Sequence, residues 1–344
     1  MKNLIKISTA VVLFLFLQAC NDDDPPEPFV DYDVYVAGFQ YSSINRVAKF
    51  WWNDLLFDLT DGCSDALATS IFVSNYDVYV AGGGDFVARY WKGRTAYDLT
   101  DGTNDALASS IYVDGDDIYV AGVEQNDQGN HVAKYWKNEE EVVLSDGYHD
   151  MEVSSIFVTP EGKVFVAGTE QAAPGNGKWY AKYWEDGFPV DLTNGVYIAY
   201  ATSIFVSGGK VYVAGHERNA ANNRVAKYWK DEYPIDLTDG TNDAVANSIY
   251  VYKDDVYVAG FEKNASYKSV AKYWKNGISY DLTDGINNAV AKSIFVLRND
   301  VYVAGYEEIA YGKAVAKFWK NGDPVDLTDG TSWAEATSIF AIER

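Results

Sequence analysis

Ser248-Ile249-Tyr250-Val251, Asp255-Val256-Tyr257-Val258-Ala259-Gly260, Val270-Ala271-Lys272-Tyr273-Trp274-Lys275 and Tyr280-Asp281-Leu282-Thr283-Asp284-Gly285 follow one another closely, and the whole chain is built on this unit. Each run is rich in β-branched and aromatic residues and bounded by turn residues, the composition of a strand on a half-buried pleated surface. The unit recurs seven times. The glycine closing its second run falls at Gly38, Gly82, Gly122, Gly168, Gly215, Gly260 and Gly305, at spacings of 44, 40, 46, 47, 45 and 45 residues. Four strand-like runs in a period of this length are the signature of a propeller blade. The expected fold is all-β: a seven-bladed β-propeller with four antiparallel strands per blade, and no segment after the leader has helical periodicity.

Short and long connections alternate within the unit. Asp114-Gly115-Asp116 and Asn276-Gly277 are hairpin signals, whereas Val123 to His131 and Thr103 to Ser109 are longer links. Taking the longer crossing as the passage from the outermost strand to the next blade's innermost one makes "SIFV" innermost, "VYVAG" second, "AKYWK" third and "DLT" outermost. Both long loop sets then share one face, where function is expected. The chain enters on second-strand material, Asp33 to Gly38, and ends on a lone innermost strand, Ser338 to Ile342. Pairing of these two ends closes the ring and removes an exposed sheet edge.

Gly240 through Gly260 and its counterparts resemble bacterial β-propeller repeat proteins whose unit reads approximately "GxxDxAxxIxVDxxGNVYVAG"; Asn194-Gly195-Val196-Tyr197 departs from it. The resemblance implies a fold and carries no catalytic residue across.

Residues 1–19 read as an export signal: Lys2 and Lys6 precede an apolar run from Ala10 to Leu17, too short to span a bilayer. Leu17-Gln18-Ala19-Cys20 resembles the bacterial lipobox, which implies acylation of Cys20. Residues 20–29 form an acidic, proline-rich tether similar to that of surface lipoproteins of Bacteroidota-type bacteria, and residues 30–344 form the propeller. The expected location is the outer membrane, held by the lipid anchor alone and facing the exterior; a tether into the periplasm is the alternative. Cys63 stands where sister repeats carry Thr103 and Thr241 and reads as an incidental thiol.

A formal net charge of −22, more negative still without Lys2 and Lys6, disfavours nucleic acid and anionic lipid as partners. It leaves glycans and proteins open. A monomer is expected, with no cofactor and no metal.

The repeated aromatic pairs, such as Tyr90-Trp91 and Tyr273-Trp274, point to opposite sheet faces and are read as packing against both neighbouring blades. Glu124, Glu170, Glu217, Glu262 and Glu307 follow the landmark glycine by two residues. In a hairpin they are close enough to Lys134, Lys182, Lys227, Lys272 and Lys317, at the start of the third strand, that they are expected to pair with them. Asp236, Asp239 and Asp243 suit tight turns as well as calcium. Seven serines, Ser70 through Ser338, open the innermost strands and could line the channel, but a nucleophile needs one activated residue beside a base.

The repeat breaks its own rule at Tyr148-His149, Trp179-Tyr180, Tyr197 and Tyr200. With Glu170 these are the candidate ligand-binding residues, because amphipathic rings bind by stacking and hydrogen bonding. No catalytic residue is assigned. The expected function is a non-catalytic binding module for a glycan or a surface protein. The alternatives are a spacer in a surface complex, or a glycan-active hydrolase or lyase on the same face.

Overall fold

The computed structural model describes residues 32–172 and 177–344. The signal segment, Cys20 and the tether lie outside the described residues. Tyr32–Arg344 forms one compact unit of seven four-stranded antiparallel sheets, and every regular element among the described residues is a strand. Blade 2 shows the plan: Ala66–Ser74, Asp77–Gly84, Val87–Lys92 and Thr95–Asp98 pair in sequence order. Asn276 (φ 51°) and Gly277 (φ 81°) make the left-handed hairpin that the sequence requires.

Blade 1 is assembled from both ends of the chain. Ala334–Glu343 pairs antiparallel with Tyr32–Ser42, setting Val34 opposite Ala341 and Val36 opposite Ile339. The seven third-strand tryptophans, Trp51 to Trp319, are each no more than 2% exposed. Trp91 of blade 2 packs with Tyr35, Ala37 and Phe50 of blade 1, while Tyr90 packs with Ala106 and Ile111 of blade 3. One aromatic pair thus serves both neighbours.

Each landmark glycine sits against the innermost strand, where a Cβ would overlap the carbonyl oxygen of Glu335, Leu67, Leu107, Glu152, Tyr200, Val245 or Val290. That close approach accompanies a β-bulge at Thr69, Ser109, Ser154, Thr202, Asn247, Lys292 and Thr337, where the register between first and second strands shifts. The next residue, the repeated serine, accepts a hydrogen bond from a neighbouring blade's isoleucine N–H: Ile71 to Ser338, Ile111 to Ser70, Ile156 to Ser110, Ile204 to Ser155, Ile249 to Ser203, Ile294 to Ser248 and Ile339 to Ser293. The serines therefore tie blade to blade. Two residues on, Phe72, Tyr112, Phe157, Phe205, Tyr250, Phe295 and Phe340 form a closed ring, with neighbouring centroids 4.6–5.2 Å apart, that narrows the channel.

Candidate functional site

The second-to-third-strand hairpins and the crossings between blades do share one face. Asn219 of a hairpin donates to the Gly240 carbonyl of the next crossing at 2.9 Å, and Asn223 reaches the same oxygen at 3.1 Å. The acidic residues of these crossings have structural partners. Asp239 accepts from the Thr241 N–H at 2.9 Å, Asp236 lies 3.2 Å from Lys227, and Asp243 accepts from the Arg224 N–H at 2.9 Å. The aspartate-to-i+2 bond recurs in every blade, with Asn194 in the role before Val196. These contacts are the turn chemistry that Asp supplies at such positions.

The five glutamates pair with the five lysines: Glu124–Lys134 at 2.6 Å, Glu217–Lys227 at 2.7 Å, Glu262–Lys272 at 2.8 Å, Glu307–Lys317 at 2.7 Å, and Glu170 with Lys182. Blade 4 elaborates the theme. Glu170, 8% exposed, also meets His149 Nδ1 at 3.0 Å and accepts from the Tyr180 hydroxyl. Burial and that carboxylate push the Tyr180 phenol well above its usual range, and the Lys182 ammonium lies 5.0 Å from the centre of its ring. With both oxygens of Glu170 engaged, the cluster is a built polar knot.

The seven sequence-selected residues thus fall into three settings. His149, Glu170 and Tyr180 form the knot. Trp179 and Tyr200 meet across the junction of blades 4 and 5, stacked with centroids 6.0 Å apart. Tyr148 and Tyr197 stand on the surface, 75% and 41% exposed, and join neither group.

The structure adds a residue that the sequence reading passed over. His216, opposite Tyr200 in the blade 5 register, stacks on it with centroids 5.2 Å apart. The result is a continuous three-ring stack, Trp179–Tyr200–His216. His216 Nδ1 is enclosed without a hydrogen-bond partner, and burial, with the Arg224 and Arg218 charges, lowers the imidazole pKa to about 4. A neutral ring follows at physiological pH. The signal was present in the sequence: blades 1, 6 and 7 carry Phe39, Phe261 and Tyr306 at this position.

Tyr200 and His216 form part of the wall of a hollow of about 400 Å³ at the channel mouth, with Glu152, Asn247, Lys292 and Thr337 around it. Thr202 and Asn247 each send a hydrogen bond to a carbonyl of the next blade at 2.7 Å, so the wall is pre-organised. A hollow of about 780 Å³ opens on the opposite face beside Tyr112, Phe157 and Phe205, beneath the aromatic ring. No candidate residue reaches it.

No family model matches the chain, and no curated protein matches it. Among solved structures the chain is similar to the β-propeller domain of the Trilobed protease from Pyrococcus furiosus, at 12% identity over 87% of this chain and 95% of that one, TM-score 0.52. It is also similar to a puromycin-hydrolyzing peptidase of Mycobacterium tuberculosis, at 13% identity over 79% of this chain and 48% of that one, TM-score 0.55. A Pyrococcus horikoshii acylaminoacyl peptidase matches at 13% identity over 87% and 51%, TM-score 0.53. The chain spans about half the length of these two peptidases. Likeness at such identity shows the propeller fold alone.

Proposed function

We propose that this chain is a glycan-binding propeller, displayed on the outer surface by a lipid on Cys20, and that it holds its ligand at the channel mouth on the long-loop face without transforming it. One observation carries the reading: Tyr200 and His216, the two inner rings of a stack that continues to Trp179, border a hollow walled by hydroxyl, amide and charged side chains. A pyranose has an apolar C–H face and a rim of hydroxyls. Aromatic rings take the first, and fixed polar groups such as Glu152, Asn247 and Lys292 take the second. The neutral His216 adds stacking surface without charge. Tyr148 and Tyr197, exposed on the same face, serve as outer contacts for a longer chain.

The test is binding of a panel of soluble polysaccharides to wild type and to Trp179→Ala, Tyr197→Ala and the double variant, with melting temperature recorded for each. The expected result is a ligand whose affinity falls at least tenfold on loss of Trp179, with a further loss in the double variant, while melting shifts by only a few degrees. Absence of binding to any glycan in the panel supports the spacer reading instead. Cleavage of a bound polysaccharide that disappears in Glu170→Gln overturns the non-catalytic assignment.

A further inference from the structure

Blade 2 breaks the rim of the long-loop face, in a way the sugar-binding reading does not use. In blades 1 and 5 a guanidinium seals the hairpin to the following crossing. Arg46 Nε donates to Asp65 at 3.0 Å and its guanidinium lies 5.6 Å from the centre of the Phe39 ring. Arg224 Nη2 donates to Asp243 Oδ2 at 3.3 Å, and its guanidinium lies 5.6 Å from the ring of Phe261, which belongs to the next blade. The two blades thus share an aspartate–guanidinium pair, set over an aromatic ring of the same blade in one and of the following blade in the other.

Blade 2 supplies the aspartate, Asp105, and omits the rest. Phe86 occupies the position of the arginine, at a φ of 66° in a two-residue hairpin, and is 61% exposed. Gly83 occupies the position of Phe39, where any Cβ would crowd the Val87 carbonyl, and the next blade offers Val123 where Arg224 meets Phe261. What remains is a hollow of about 430 Å³ with Leu67 and Leu107 in its apolar wall and Asp105 at its edge. Among the described residues the only ionic partner of the Asp105 carboxylate within 4 Å is His131 Nε2, at 3.9 Å. That imidazole is already engaged, its Nδ1 lying 2.9 Å from Asp150. Arg46 on the other side is committed to Asp65.

We propose that this notch receives an arginine side chain from a partner polypeptide, which supplies in trans the guanidinium that blades 1 and 5 supply from within. Asp105 accepts from the guanidinium in the planar, bidentate manner that suits arginine better than lysine. The Leu67 and Leu107 wall takes the methylene stem, and the exposed Phe86 ring offers a π face. A chain of net charge −22 draws such a partner towards it.

The experiment uses a blocked, fluorescein-labelled Gly-Gly-Arg-Gly-Gly peptide, its citrulline and lysine counterparts, and N-acetyl-arginine amide as an unlabelled competitor, at low salt. The arginine peptide should bind, the citrulline peptide at least fivefold more weakly, the lysine peptide between them, and the small amide should compete. Asp105→Asn keeps the shape of the side chain and should remove the preference for arginine over citrulline. Equal affinity for arginine and citrulline, an undiminished preference in Asp105→Asn, or no binding at millimolar peptide overturns the proposal. Competition by the small amide without peptide binding would show that the notch takes a free guanidinium compound and not a polypeptide. Trp179→Ala should leave all of this unchanged, so that failure of the sugar site and failure of the notch are told apart.

Discussion

His216 illustrates how far a single residue's surroundings govern its chemistry. Its imidazole is held neutral by burial and by two arginines, so its pKa of about 4 lies below the ordinary value of 6.5. The unfolded chain therefore takes up a proton in the interval between these values that the folded chain refuses. The stabilising contribution is complete above pH 6.5 and is lost as pH falls towards 4, by roughly 1–3 kcal/mol at the lower end for a partly exposed ring. His216→Phe, which installs the ring that blade 6 carries as Phe261, should flatten this part of the stability profile. Denaturant midpoints at pH 7, 6, 5 and 4 for both proteins measure it, and parallel profiles would refute the assignment. Tyr200 was legible in the sequence because it replaced a small or aliphatic residue. His216 was not, because an imidazole among phenyl rings reads as a change of polarity although its role here is to stack.

At the scale of the strand, the features that organise the blade are carried by small residues whose reasons the sequence leaves unstated. The recurrence of Gly260 and its counterparts reveals the period, but only the structure shows that each lies against a bulged strand with no room for a methyl group. The same holds for the seven serines, which look like channel-lining groups and instead accept the isoleucine N–H of a neighbouring blade. Ser203→Ala should therefore destabilise the protein by about 1–3 kcal/mol through the unpaired Ile249 N–H, whereas Ser203→Thr, which keeps the hydroxyl, should cost less. Equal loss in both variants, followed by thermal denaturation, would show that the hydroxyl is not what matters. The glutamate–lysine pairs were legible because each glutamate recurs two residues after its landmark glycine and each lysine just before its aromatic pair. The Arg46–Asp65 seal was not, because its arginine lies in a third strand and its aspartate in the following crossing, and only two blades complete it with arginine.

At the scale of the molecule, everything placed on the long-loop face depends on seven blades closing in a circle. Blade number, strand order and the clasp could be read from the glycine spacing and the unmatched runs at either end. The ring of seven aromatic side chains, running from Phe72 round to Phe340 and back, expresses that closure in side-chain contacts. The hollow at the channel mouth, the aromatic stack beside it and the notch in blade 2 are all consequences of neighbours being brought side by side. Strand-to-strand registry at the clasp is therefore the quantity to measure. Tyr32 lies opposite Glu343, and directly opposed residues in an antiparallel pair are close enough for a disulfide. In a Cys20→Ser, Cys63→Ser background, Tyr32→Cys with Glu343→Cys should form an intrachain disulfide under mild oxidation at high dilution and raise the melting temperature. Free thiols that persist in the folded monomer, or cross-links only between chains, would contradict a ring fastened by its two ends.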